Sequence, residues 1–254
     1  MKLAPLLPAL LLLVPALAAP AIGQDVFPLQ VPGTDVYLSA PPDRAFNLVM
    51  SGTTFNLQEY PGTHDALILE AYVGEKVQLT VTVPATAETH TFHLHGHPWF
   101  DPSAGRTVDT RMIRPGEAIS FTVVAGGVDA HDGDWMYHCH FAQHAAAGMW
   151  GLLRVYPYAM HVPLVPPDAA GFDITVDRLG APLEDARVML DVEGHALPAS
   201  VTPLGQGRYH VAAALPAHGV LTVMAHGPLG ATQARIGLGG TIVPPLTTSS
   251  AMTM

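Results

Sequence analysis

From residue 46 to residue 155 the chain is a succession of short apolar or alternating runs, "FNLVM", "ALILEAYV", "KVQLTVTV", "AISFTVV", "WMYHCH" and "GLLRVYP", spaced by Gly, Pro and Asp turns. Period-two alternation over so few residues favours strands, and helix signals are nearly absent, so the region is predicted to be an all-β sandwich or barrel. The stretch "YPYAMHVPLVPPDAAG" follows with four prolines and reads as a stiff linker. Beyond it "FDITVD", "ARVMLDVEG", "GRYHVAAAL", "GVLTVMAHG" and "ATQARIGL" supply five more candidate strands, enough for a small second sandwich. The end, "GGTIVPPLTTSSAMTM", is expected to be a disordered tail. The expected division is therefore a leader at residues 1–23, a first domain at 24–160, a linker at 161–170, a small β domain at 171–240 and a tail at 241–254.

The leader is one Lys followed by "LAPLLPALLLLVPALAA", too short and too often broken by proline to span a bilayer but suited to a secretory signal. Small residues allow cleavage after Ala18 or after Gly23. No later segment is long and apolar enough for a membrane span, so a secreted or periplasmic protein is expected. Loss of the leader with Lys2 takes the formal charge from -10 to -11 and leaves Lys76 as the single lysine, which excludes a phosphate backbone as partner. Cys139 is the only cysteine, and an unpaired thiol in an exported chain points to a reactive or metal-bound sulfur.

Around that cysteine the histidines cluster. "HTFHLHGHPWF" (residues 90–100) places four in eight positions, and "YHCHFAQHAAAGM" (137–149) adds three. Side chains alternate across a strand, so His93 and His95 share a face, and His138 and His140 share a face opposite the sulfur. Two such strands side by side form a four-imidazole patch. Cys139 faces the other way, where His90, His144 and Met149 can meet it, since Cys-x4-His-x4-Met is a loop long enough to return two ligands to one point. A thiolate, two imidazoles and a weak thioether form the trigonal set with a long axial ligand expected of blue copper. The rival readings are a structural zinc site, which seldom uses Met and lacks here its Cys-rich spacing, and a Met149 that merely fills the core.

"HTFHLHGHPWF", "DTRMIRPGEAISFTV" and "DWMYHCHFAQHAAAGM" resemble, in order and spacing, the C-terminal cupredoxin domain of multicopper oxidases such as laccases, bilirubin oxidases and copper-resistance oxidases. The resemblance covers roughly residues 45–156 and implies a Greek-key cupredoxin sandwich with copper as cofactor. It implies that His90, Cys139, His144 and Met149 are type 1 copper ligands. His93, His95, His138 and His140 would be that domain's share of a type 2/3 trinuclear cluster. His97 matches a position that is not usually a ligand and is expected in the surroundings of the site or on the surface. "GAPLEDARVMLDVEGHALPASVTPLGQGRYHVAAAL" looks like the small immunoglobulin-like modules of bacterial metal-handling proteins, read here as a structural or partner-docking unit.

A complete trinuclear cluster in that family takes eight histidines, four of them from an N-terminal domain with its own two His-x-His pairs. This sequence has no second region of that kind. The Cys139–Met149 loop also has no carboxylate, with Gln143 beside His144. Three functions follow: a copper oxidoreductase of the multicopper oxidase type whose half cluster is completed by a homo-oligomer or a partner redox protein; a periplasmic electron-transfer cupredoxin; or a non-catalytic copper-binding or resistance protein.

Overall fold

The structure, a computed structural model, describes residues 42–59, 61, 65–163 and 170–248; the expected leader lies outside the described residues. Two β sandwiches follow one another. The first contains β1 (Arg44–Ser51), β2 (Thr54–Leu57), β3 (Ala66–Tyr72), β4 (Lys76–Thr82), β5 (His90–Leu94), the hairpin of β6 (Trp99–Asp101) and β7 (Arg106–Val108), β8 (Thr110–Ile113), β9 (Ala118–Val124), β10 (Gly133–Cys139), the short helix α1 (Ala142–Ala146) and β11 (Trp150–Tyr156). One of its sheets has the order β2-β1-β4-β9, and the other runs β3-β11-β10-β5-β8.

Burial follows the sequence pattern strand by strand. In β4, "KVQLTVT", Val77, Leu79 and Val81 are fully buried while their neighbours are half-buried, as a strand with one core face requires. In β3, "ALILEAY", nearly every residue is buried, because this strand pairs in parallel with β11 and is covered on both faces. Between the sheets an aromatic cluster fills the core: Phe92 lies 6.1 Å from Tyr137 in a stacked pair, and Phe55 meets Tyr137 edge-on at 5.0 Å.

The second sandwich has one sheet in the order β12-β13-β18-β17, with a short β14 against β13, and another in the order β16-β15-β19-β20. The strands are β12 (Ala159–His161), β13 (Gly171–Arg178), β14 (Ala181–Pro182), β15 (Arg187–Val192), β16 (His195–Leu197), β17 (Ser200–Gly205), β18 (Arg208–Ala212), β19 (Gly219–Gly227) and β20 (Gly230–Leu238). Its core is separate, built on Ile174, Val176, Tyr209, Val211, Leu221 and Val223.

Two boundaries differ from the sequence reading. Residues 161–170 were expected as linker from the prolines, yet Ala159–His161 already pairs antiparallel with Thr175–Asp177. Residues 241–254 were expected as a disordered tail, yet a last strand, β21 (Leu246–Thr248), pairs antiparallel with Ala66–Ile68 at the edge of the six-stranded sheet. Composition argued for disorder, but an open edge at β3 offers unpaired backbone groups, and the two prolines before Leu246 favour the extended chain that such pairing needs.

The sandwiches dock through β3 and β20. Tyr72, in the second core, donates its hydroxyl hydrogen to the Gln233 carbonyl at 2.9 Å. Glu70 accepts from the Gln233 amide at 2.8 Å and from the Tyr156 hydroxyl at 2.7 Å, and lies 3.6 Å from Arg235. Just past the end of β11, Arg178 donates to the carbonyls of Pro157 at 2.7 Å and Ala130 at 2.9 Å.

Two positions test this packing. Gly151 lies directly opposite Tyr137, and a Cβ there would sit 2.2 Å from the Tyr137 hydroxyl oxygen and 2.7 Å from the Leu67 carbonyl oxygen. Gly151→Ala should therefore cost about 2 kcal/mol in urea unfolding, the usual range for overpacking a core, and an unchanged midpoint would contradict the packing. His97 is buried; its Nδ1–H donates to the His95 carbonyl at 2.8 Å, and its Nε2 accepts from the Gly126 N–H at 3.0 Å. This pattern requires the neutral ring, and burial pushes its pKa below the ordinary 6.5. A depressed histidine pKa means that the unfolded chain takes up the proton first. The His97 contribution is thus intact above pH 6.5 and is lost as pH falls from there toward the folded-state value. Comparing urea midpoints of metal-free wild type and His97→Gln across pH should show a slope below pH 6.5 that is shallower in the variant, by up to about 1.4 kcal/mol per pH unit.

Candidate metal centres

β10 carries the chemistry because alternation divides it. Trp135, Tyr137 and Cys139 point into the core, where Tyr137 and Cys139 are fully buried. His138 points out of the sandwich on the opposite face, directly across from His93 of β5. The ladder extends past both strand ends, since His95 N–H donates to the Met136 carbonyl at 2.9 Å and His140 N–H to the Thr91 carbonyl at 2.8 Å.

On the core side Cys139 Sγ lies 3.8 Å from His90 Nδ1 and 3.6 Å from His144 Nδ1, and the two nitrogens are 3.2 Å apart. A triangle with those edges has a point roughly 2 Å from every corner, within the range of metal–imidazole and metal–thiolate bonds. The loop that returns His144 is α1, and Gly148, at φ +104, supplies the positive dihedral that turns the chain back into β11. Met149 follows, fully buried: its N–H donates to the His144 carbonyl at 3.0 Å, and its carbonyl accepts from the Cys139 N–H at 3.1 Å. Its backbone therefore ties Cys139 and His144 together. A soft sulfur with two imidazoles, Cys139 and His90 fully buried and His144 half-buried, is a donor set suited to copper, so the residues present fit the group.

On the outer side His93, His95 and His138 form a second group whose ring nitrogens lie within 4.8 Å of one another. Two of these rings have their tautomer fixed by backbone carbonyls. His93 Nδ1–H donates to the Asp109 carbonyl at 2.7 Å, with Thr110 Oγ1 at 2.8 Å, and His138 Nδ1–H donates to the Cys139 carbonyl at 2.9 Å. Each therefore presents an Nε2 lone pair outward, the usual way in which a ligand imidazole is aimed. His95 Nε2 sits 3.1 Å from His138 Nε2. The pKa values of His95 and His138 are lowered, first by burial and also by the neighbouring imidazoles, which favours the neutral ring of each. His140 is exposed, stacked 5.6 Å from His138 and edge-on to His93 at 5.3 Å by ring centroids, and lies at the rim, outside the close group of three.

Of the residues singled out in the sequence, His90, Cys139 and His144 meet on one side, and His93, His95 and His138 on the other. His97, expected around the site or on the surface, is buried and supports the His95 backbone. The sequence reading missed the Asp109 carbonyl and Thr110 behind His93; a backbone carbonyl has no residue-type signature, and only the Thr hydroxyl in "DTRMI" could have drawn notice. It also missed Glu88, whose Oε1 lies 3.8 Å from His90 Nε2.

Residues 27–159, just over half of the chain, match the family described as multicopper oxidase. Over 132 residues the chain is 33% identical to a probable nitrite reductase-hydroxylamine oxidoreductase fusion protein of Kuenenia stuttgartiensis, covering 45% of this chain and 15% of that protein. Over 129 residues it is 32% identical to a laccase of Arabidopsis thaliana, covering 45% of this chain and 22% of that protein. Among solved structures, a multicopper oxidase from Pediococcus acidilactici is similar at 22% identity with a TM-score of 0.37, over 50% of this chain and 28% of that one. The chain spans less than a quarter of the length of these two curated relatives. The matched region holds both histidine clusters and the cysteine, and the chain belongs to the multicopper oxidase family.

Proposed function

We propose that the protein is an exported copper oxidoreductase with a type 1 copper held by His90, Cys139, His144 and Met149. His93, His95, His138 and His140 are half of a trinuclear-type cluster that a second copy or a partner chain completes. The observation that carries this reading is the pair of donor sets on opposite faces of one strand, a thiol with two imidazoles inside and three converging imidazoles outside. Export is supported by the apolar leader, and among the described residues no helix is long and apolar enough to cross a membrane.

Bound copper supplies one-electron chemistry. The chain contributes three things to it. Cys139 is fully buried, so water is kept from the sulfur, and Phe141 covers the His144 ring edge-on at 5.5 Å. His138 and His140 are the sequence neighbours of Cys139, and the His138 Nδ1–H donates to the Cys139 carbonyl at 2.9 Å, so a short run of covalent and hydrogen bonds joins the two donor sets. His93 and His138 keep fixed tautomers that point Nε2 outward, with His95 Nε2 3.1 Å from His138 Nε2, an arrangement suited to a metal shared with another chain.

Cys139→Ser is expected to abolish the intense visible absorption that a copper-bound thiolate gives while leaving the circular dichroism of the sandwich unchanged; a variant that stays blue would remove Cys139 from the centre. His93→Ala combined with His95→Ala should lower copper per chain and leave the blue band intact, because those rings lie on the other side of the strand. If the unfilled patch is shared between chains, copper favours assembly by mass action. Sedimentation should then show a larger species with copper than without it in wild type and not in the double variant. A monomer in every case, with one copper per chain, would instead leave an electron-transfer cupredoxin.

A further inference from the structure

The core-side donor set leaves one polar atom with no hydrogen-bond partner, His90 Nε2, and the ring that carries it is fully buried. The opposite nitrogen, Nδ1, is the one that faces Cys139 Sγ at 3.8 Å and His144 Nδ1 at 3.2 Å. A neutral imidazole that gives its Nδ1 lone pair to a metal carries its proton on Nε2, so loading the site turns this buried atom into a donor that needs an acceptor. Glu88 stands in the segment leading into β5, two residues before His90, and its Oε1 lies 3.8 Å from Nε2. Its side chain is 51% exposed, so it can turn the remaining distance without disturbing the core.

Resting on the copper reading above, we propose that Glu88 is a positioning residue of the core-side metal centre: its carboxylate accepts the Nε2–H of His90, fixes that ring's tautomer and plane, and strengthens Nδ1 as a donor. Carboxylate–imidazole–metal relays do this in general, and loss of the outer partner typically weakens metal retention 10-fold to 100-fold. The carboxylate also brings a negative charge close to the centre, which favours the more highly charged oxidation state of the metal and lowers its reduction potential. The Cys139–Met149 loop, with Gln143 beside His144, carries no acid. Glu88 brings a carboxylate to the centre from the other end of the site.

The test uses the full chain loaded with copper and follows the visible band during redox titration and during competition with a chelator. Glu88→Ala should stay blue, since the sulfur ligand is untouched, but with a higher midpoint potential and copper retention weaker by about 10-fold to 100-fold. Glu88→Gln keeps an acceptor and removes the charge, so it should recover most of the retention and still show the raised potential. Asp173→Ala, on the exposed surface of the second sandwich, should change neither. A blue Glu88→Ala protein with wild-type potential and retention overturns the inference, and so does an equal shift in Asp173→Ala, which would make the effect one of overall charge. A copper-loaded wild type without the visible band overturns the copper reading and this inference with it.

Discussion

Everything in the site depends on the alternation of side chains along β10. A strand can send neighbouring residues only to opposite faces, so Cys139 in the core forces His138 outward and His140 to the outer rim. The chain uses this constraint to hold two chemically different donor sets a single residue apart. Inside, the sulfur shares one core with Phe92 and Tyr137, and it meets the fully buried His90 and the half-buried His144. Outside, three imidazoles stand half-buried or exposed, two of them aimed by backbone carbonyls, His93 by that of Asp109 and His138 by that of Cys139. Loss of the β5–β10 register by one residue would exchange the faces and destroy both sets together.

The second sandwich shares the outer face with the histidines. Register places His138, Trp150, Leu152, Arg154 and Tyr156 on one side of the six-stranded sheet, and Glu70 and Tyr72 continue that side along β3. The Glu70 and Tyr72 corner is taken by Gln233 and Arg235 of β20, while at the other corner His93 and His138 are half-buried and His95 is exposed. A face partly covered by its own chain, with the imidazoles at the open part, fits the proposal that a second chain completes the cluster. The returning strand β21 closes the β3 edge, so the contact is directed to the face and not to edge pairing.

Much of this was legible in the residues. The six runs of the first sandwich and the five of the second all became strands, because alternating apolar positions and turn residues are local signals. The thiol-centred set was legible because only Cys139 offers a sulfur of that kind and because Cys-x4-His-x4-Met is a short loop. What escaped depended on contacts distant in sequence. Nothing local marks Leu246–Thr248 as a strand, since its partner is the β3 edge almost 180 residues earlier. His97 has the sequence context of a ligand, and only the Gly126 N–H, brought to it by the fold, shows that its second nitrogen is already engaged. Glu88 reads as an ordinary surface acid until the buried His90 Nε2 is placed beside it.

The claim at the centre of this account is that one chain holds two distinct copper environments on opposite faces of one strand. Electron paramagnetic resonance during stepwise addition of copper to the purified protein tests it most directly. The account predicts two signals that appear separately: one with the narrow copper hyperfine coupling of a thiolate-bound site, tracking the blue absorption, and one with the wide coupling of an imidazole site, absent when His93 and His95 are replaced. A single signal at full loading, or two that vanish together in that variant, would contradict it.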